Sequence, residues 1–344
     1  MAAASARKFP TDCGRRCNVS FPEVRGQREA RRGFSRALAS GRIAHAYLIT
    51  GPQGTGKRRL ADRVAGALLC PHGGIGGEQP ETVGACGTCG SCKAFAGGNH
   101  GALSHLEAVG SGKIDIEGIR DLVASLSLRG GGYRVVIVDP AEKMGEAAAN
   151  ALLKTLEEPG SGVVFLLVSH RPAHLLSTIV SRCQRVSCTP LDVEDFAGVL
   201  SEHGISGDEI TSLHHATGGS PGVALGLAEA IEACGGIESF HAVLDQPPSD
   251  PRALAELSPA VSGEAVRDRV LRVSRLLMAG IWARRGESPE ERRRAAERSA
   301  WIGEISATLE RGQSPELALE LIARVLKAAD PGQLKDELPA ALGR

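Results

Sequence analysis

At 344 residues the chain has room for two or three domains. Hydrophobic residues make up 42% and charged residues 23%, an ordinary globular balance. Lys+Arg and Asp+Glu both number 40, which speaks against a free-standing basic nucleic-acid binder, and aromatics at 3% speak against a base-stacking platform.

No apolar run is long enough to span a bilayer. Met1 to Pro10 carries Arg and Lys but no apolar h-region, so no secretory signal is expected. Residues 1–20 read as a disordered tail. The nine cysteines, in a chain without an export signal, point to reduced thiols and a cytoplasmic location.

Organisation begins at Phe21. Ala30, Phe34 and Leu38 recur at a four-residue step and form one apolar helix stripe, which Ser40-Gly41 ends. Ala46 to Thr50 is a short apolar strand. The loop Gly51-Pro52-Gln53-Gly54-Thr55-Gly56-Lys57 follows at once, and then a helix from Arg59 to Leu69. Strand, glycine loop and helix are the context that a phosphate loop requires. Pro71 to Gly101, rich in Gly and Cys, reads as an insertion rather than a core element. Ile114 to Leu128 reads as a helix, Val135 to Asp139 as a buried strand, Ala147 to Leu156 as a helix, and Val163 to Ser169 as another buried strand. Alternating strands and helices up to about Pro190 imply a parallel α/β sheet covered on both faces. Three further helical stretches, Asp192–Leu200, Asp208–His215 and Gly222–Glu229, read as a small helical lid over residues 191–238. Residues 239–344 read as a separate all-α domain.

The chemistry sits in four places. In the phosphate loop, backbone N–H groups and the dipole of the next helix would face phosphates, with Gly51, Gly54, Gly56 and Lys57 as nucleotide-binding candidates. The full pattern G-x-x-x-x-G-K-S/T ends on a hydroxyl that holds Mg²⁺. Arg58 stands there, and a guanidinium cannot ligate a cation. Asp139 ends a buried strand and reads either as a Mg²⁺ ligand or as the cap of the following turn. Pro140 follows it where many ATPases carry a water-polarising Glu; Glu142 lies two positions later. A degenerate nucleotide site with little or no ATPase of its own is expected.

Cys86, Cys89 and Cys92, with Cys70 upstream, have the spacing of a closed four-thiolate zinc site whose role is structural. The alternative is an unliganded cysteine-rich loop, and His72 and His100 flank it as substitute ligands. Cys13 and Cys17 in the tail read as free thiols, Cys188 and Cys234 as ordinary residues. Last, Ser181-Arg182-Cys183 follows an apolar stretch ending at Val180. An arginine delivered in trans can neutralise charge on a transferring phosphoryl group.

Phe21 to Gln27, Arg42 to Pro52, the run Asn150-Ala151-Leu152-Leu153-Lys154-Thr155-Leu156-Glu157-Glu158-Pro159 and Ser181-Arg182-Cys183 together resemble the AAA+ clamp-loader family of bacterial DNA polymerase III. The resemblance covers about Phe21 to Leu225. It implies an AAA+ domain over residues 21–190 carrying a zinc module at about 70–100, a lid, and a C-terminal domain that joins a pentameric collar. Ser169 matches the sensor-1 position, and Gly222 stands where a motor subunit would carry its sensor-2 arginine. Arg58, Pro140 and Gly222 are departures from the motor pattern and imply a stator whose Arg182 completes a neighbour's ATP site. The implied partners are the tau/gamma and delta subunits, the sliding clamp and primer–template DNA, with no membrane contact. The rival expectations are an ATP-hydrolysing motor subunit of the same loader, a non-replicative AAA+ remodelling protein, and a scaffold whose Arg182 is silent.

Overall fold

The computed structural model describes residues 21, 23–76, 83–108, 113–126, 132–236, 240–258, 265–284, 286, 288–335 and 338–341. The expected tail, with Cys13 and Cys17, lies outside the described residues. The chain divides into two units, Met1–Pro190 and Leu191–Arg344.

In the first unit, β1 (Ala46–Thr50), β2 (Leu103–Leu106), β3 (Arg134–Val138), β4 (Val163–Ser169) and β5 (Gln184–Ser187) form one sheet. The order is β2-β3-β4-β1-β5 and every pairing is parallel. Its helices are α1 (Arg28–Ala39), α2 (Lys57–Leu69), α3 (Gly90–Ala96), α4 (Ile116–Leu126), α5 (Glu146–Glu157) and α6 (Ser177–Arg182). Successive side chains on a strand point to opposite faces. Tyr47, Ile49, Val135, Ile137, Val164 and Leu166 pack on one face with Phe34 of α1 and Leu60 and Val64 of α2. Ala46, Leu48, Val136, Val138, Phe165 and Leu167 pack on the other with Ile119, Leu152 and Ile179 of α4, α5 and α6. A strand covered on both faces has no solvent side to mark with polar residues, so the three central strands read as unbroken apolar runs.

The sequence reading foresees those three strands and misses the outer two. β2 reads Leu-Ser-His-Leu and β5 reads Gln-Arg-Val-Ser, and both are edges of the sheet. An edge strand is covered less completely, so it carries no apolar run to announce it. The cysteine-rich insertion also departs from expectation. It holds a helix, α3, and its Val83 is buried in the same core as α2, with Phe95 packed against that core.

The second unit is all helical: α7 (Val193–Ser201), α8 (Asp208–Thr217), α9 (Pro221–Ala233), α10 (His241–Asp245), α11 (Val266–Ala283), α12 (Pro289–Glu310), α13 (Pro315–Lys327) and α14 (Leu338–Ala341). One hydrophobic core runs from Leu191 to Leu338. The long α11 lies at its centre, with Val270, Val273, Leu276, Leu277 and Ala279 fully buried. His215 of α8 stacks on Trp282 of α11, ring centroids 3.8 Å apart and planes within 10°. The helices expected as a lid and those expected as a collar thus share one core. Among the described residues, no helix is long and apolar enough to cross a membrane.

Candidate functional site

In a parallel sheet all carboxyl ends of the strands lie along one edge, and that is where such folds place ligands. Thr50 of β1 pairs with Ser169 of β4 and with Ser187 of β5, so the phosphate loop, Ser169 and the residue after β3, Asp139, share that edge. The loop's shape depends on its glycines. Gly51 has φ 144, and a Cβ there would lie 2.2 Å from the carbonyl oxygen of Cys188. Gly56 has φ 89 and turns the chain directly into α2. Gln27, buried before α1, ties the loop down. Its amide donates to the carbonyls of Thr55 (3.1 Å) and Thr189 (2.6 Å) and accepts from the Thr189 N–H (2.9 Å). Sequence reasoning gave Gln27 no role of its own; an amide that serves two distant carbonyls has no local signature. Lys57 is buried and its Nζ donates to the Pro52 carbonyl at 2.6 Å, inside its own loop. Burial pulls its pKa down, with Cys188 and Asp139 opposing.

Arg58 does more than lack a hydroxyl. Its Nη1 lies 3.2 Å from Oδ2 of Asp139 and 2.9 Å from Oε1 of Glu107, its Nε 3.1 Å from Oδ1 of Asp62, and its Nη2 2.9 Å from Nδ1 of His105. The guanidinium thus sits among three carboxylates, one of them the candidate metal ligand. Burial works against the charge on Arg58, but Asp62 and Glu107 outweigh it and its pKa is raised. Burial raises the pKa of Asp139, with Arg58 opposing. Burial, then Arg58, lowers that of His105. The turn after Asp139 starts at Pro140 with no side-chain cap, so the capping role does not apply. These residues do not fit a bound magnesium ion in the ordinary way: position 58 offers no oxygen, and Asp139 is already paired with a fixed cation. Asp62, Glu107 and His105 were not singled out from sequence; Asp62 lies one helical turn beyond Arg58 in α2, whereas His105 and Glu107 reach it only because β2, unforeseen, lies beside β3.

The second acidic candidate is also engaged. Oε1 of Glu142 pairs with Nδ1 of His170 at 2.5 Å, and the Glu142 side chain is only 4% exposed. Burial pushes its pKa up, but the bond from His170 overrides this and brings it down to about 2. Ser169 is fully buried and its hydroxyl accepts the Arg171 N–H at 3.1 Å.

Cys70, Cys86, Cys89 and Cys92 come together with all four sulfurs within 4.8 Å of one another. The Cys70–Cys89 and Cys86–Cys92 separations are both 3.9 Å. A tetrahedron of thiolates around zinc has edges of about 3.8 Å, from a Zn–S bond of about 2.3 Å. The donor set fits a closed tetrahedral metal such as zinc. Cys70 is the residue that ends α2, and Cys89 caps α3, accepting the Cys92 N–H at 3.4 Å. His100 is not in the cluster. Its Nε2 is bonded to the Ser91 hydroxyl at 2.9 Å, and that hydroxyl donates to the Leu69 carbonyl at 2.7 Å. His72 is exposed and outside the cluster as well.

Arg182 is the last residue of α6. Its Nη2 donates to Oε1 of Glu157 at 2.6 Å and its Nη1 to the Thr178 carbonyl at 3.0 Å. It stands before β5, whose first residue pairs with Tyr47. Gly51 is four residues beyond Tyr47, so the start of β5 lies about 13 Å short of the loop along the strand direction. Arg182 therefore belongs to the edge of the sheet opposite its own phosphate loop. Gly222 lies exposed in the first turn of α9.

Residues 26–192 match the family model described as "DNA polymerase III, delta subunit". The chain is 45% identical over 148 residues to DNA polymerase III subunit delta' of Pseudomonas aeruginosa, covering 42% of this chain and 43% of that one. It is 36% identical over 183 residues to subunit tau of Bacillus subtilis, covering 53% of this chain and 31% of that one. The matched stretches span less than half the length of either relative. Among solved structures, a DNA polymerase III gamma subunit-related protein from Thermotoga maritima aligns over 88% of this chain and 99% of its own, at 17% identity and a TM-score of 0.46. The α/β unit, with its phosphate loop, parallel sheet and cysteine cluster, is thus similar over residues 26–192 to bacterial DNA polymerase III subunits, subunit delta' and subunit tau among them.

Proposed function

We propose that this chain is a stator of the DNA polymerase III clamp loader. In this reading it sits beside an ATP-holding tau/gamma subunit, presents Arg182 to that neighbour's nucleotide, and hydrolyses nothing itself. With the delta subunit it acts in opening the sliding clamp and loading it onto primer–template DNA. The observation that carries the reading is the ion pair of Arg58 with Asp139 at 3.2 Å. Phosphoryl transfer needs a metal on the phosphates and a positioned water. Here a side-chain cation holds the carboxylate that would serve the metal, and Glu142, the next acid along the chain, is bound to His170. Arg182 lies away from this loop, at the far edge of the sheet, which suits service in trans. Zinc held by Cys70, Cys86, Cys89 and Cys92 has a structural part, since four thiolates leave no open position. The lid at 191–238 and collar domain at 239–344 belong to the same proposal.

The test is Arg182→Ala in a loader reconstituted with tau/gamma and delta subunits. Assembly stays intact, and hydrolysis at the neighbouring site falls by a factor on the order of 10³. An unchanged DNA-stimulated rate removes the role in trans. A motor-type reading keeps some support from the retained loop glycines and Lys57. It requires magnesium-dependent ATP hydrolysis by the isolated chain, and none is expected.

A further inference from the structure

Two acidic side chains, Glu157 and Glu158, close α5. A helix C-terminus carries partial negative charge, so acids there are locally unfavourable and cations favourable. A local rule broken without an evident gain marks a site worth explaining. The gain lies across the groove between α5 and α6. Oε1 of Glu157 accepts from Nη2 of Arg182 at 2.6 Å, while Nη1 of the same guanidinium donates to the Thr178 carbonyl, one turn back in α6, at 3.0 Å.

Both anchors stand on rigid ground. Leu156, beside Glu157, is 1% exposed, and Ile179, in the turn that carries Arg182, is fully buried; both belong to one core, which also holds Cys183. The two charged tips themselves are open to solvent, 36% exposed for Arg182 and 49% for Glu157. A guanidinium has five N–H donors. Two are taken by Glu157 and Thr178, which leaves three, among the described residues, on a side chain that still faces solvent. A free arginine loses much rotamer freedom when it is fixed on a phosphate. One already held at two points loses less, and a displacement of about 1 Å at a transferring group can cost about 100-fold in rate.

We propose that Glu157 is a positioning residue for Arg182, holding its guanidinium aimed outward for the phosphates of a neighbouring protomer's nucleotide. The proposal rests on the stator reading above. Glu157 touches no substrate; it acts through Arg182 alone.

The experiment is a double-mutant cycle on the reconstituted loader, reading kcat and KM for ATP with primed DNA. Glu157→Gln keeps an acceptor but loses the charge, so it lowers kcat about two- to fivefold, the range of an exposed ion pair, with KM and assembly unchanged. On an Arg182→Ala background the same substitution has no further effect. A Glu157→Gln loader as fast as wild type or faster, or equal losses on both backgrounds, overturns the proposal while leaving the role of Arg182 in place. Arg182→Ala without effect overturns both.

Discussion

At the residue scale, position 58 decides the character of the phosphate loop. The sequence shows only a missing hydroxyl. The structure shows that its replacement has taken over Asp139, Glu107 and Asp62 as a built-in cation. Arg58→Thr should therefore do two things at once: free Asp139 and supply the absent oxygen. In a calorimetric titration it is expected to bind Mg²⁺·ATP at least about tenfold more tightly than the parent chain, a difference of about 1.4 kcal/mol. If affinity does not rise, Arg58 is not what closes the site. A second residue-scale expectation concerns Glu142. Its pKa in the folded chain is brought down to about 2 from an ordinary 4.5. A carboxylate lowered on folding adds stability that is complete above the ordinary value and is lost as pH falls toward the folded one. Urea midpoints should thus decline from about pH 4.5 toward pH 2, and Glu142→Gln should flatten that decline. An identical acid limb in the variant would show that the pair with His170 contributes nothing.

At the element scale, the cysteine module is built onto the phosphate-loop helix. Cys70 ends α2, Gly66 of α2 faces Ala85 and Phe95, and Ser91 reaches the Leu69 carbonyl. A metal on the four thiols would tie the end of α2 to α3. Removing zinc with a chelator, or substituting Cys89→Ser, is expected to release about one equivalent of metal. It should also lower the unfolding temperature by roughly 4–8 °C for a loss of about 2 kcal/mol. Metal analysis with a thermal melt reads both; a purified chain that holds no zinc, or one whose melting is unmoved by chelation, defeats this. The spacing of the cysteines was enough to expect the cluster. Its contact with α2 was not legible, because Val83 and Phe95 are isolated apolar residues in a polar stretch and form no periodic stripe. The same holds for β2 and β5, whose edge positions leave them short and mostly polar.

At the scale of the whole molecule, the two units are organised by different rules. The first is layered, and each central strand feeds a core on either face. The second has a single core around α11, into which helices from Val193 to Ala341 contribute. Helical periodicity placed α7, α8 and α9 within a residue or a few of their observed bounds. It did not foretell that α8 would stack its His215 on Trp282, residues far apart in the chain. A period of 3.6 reports which face of a helix is buried and says nothing of which helix covers it.

Taken alone, the amino-acid order determined the phosphate loop, the three buried strands, the cysteine quartet and the loss of the loop's hydroxyl. Each of these is written in neighbouring residues, as glycine spacing, apolar runs or C-x-x-C pairs. Only the tertiary structure decided the meeting of Arg58 with Asp139 and Glu107, the pairing of Glu142 with His170, the anchoring of Arg182 by Glu157, and the distance of Arg182 from its own loop. Those depend on the order of strands in the sheet and on which helix ends meet, and electrostatic contacts between distant segments leave no periodic trace in sequence.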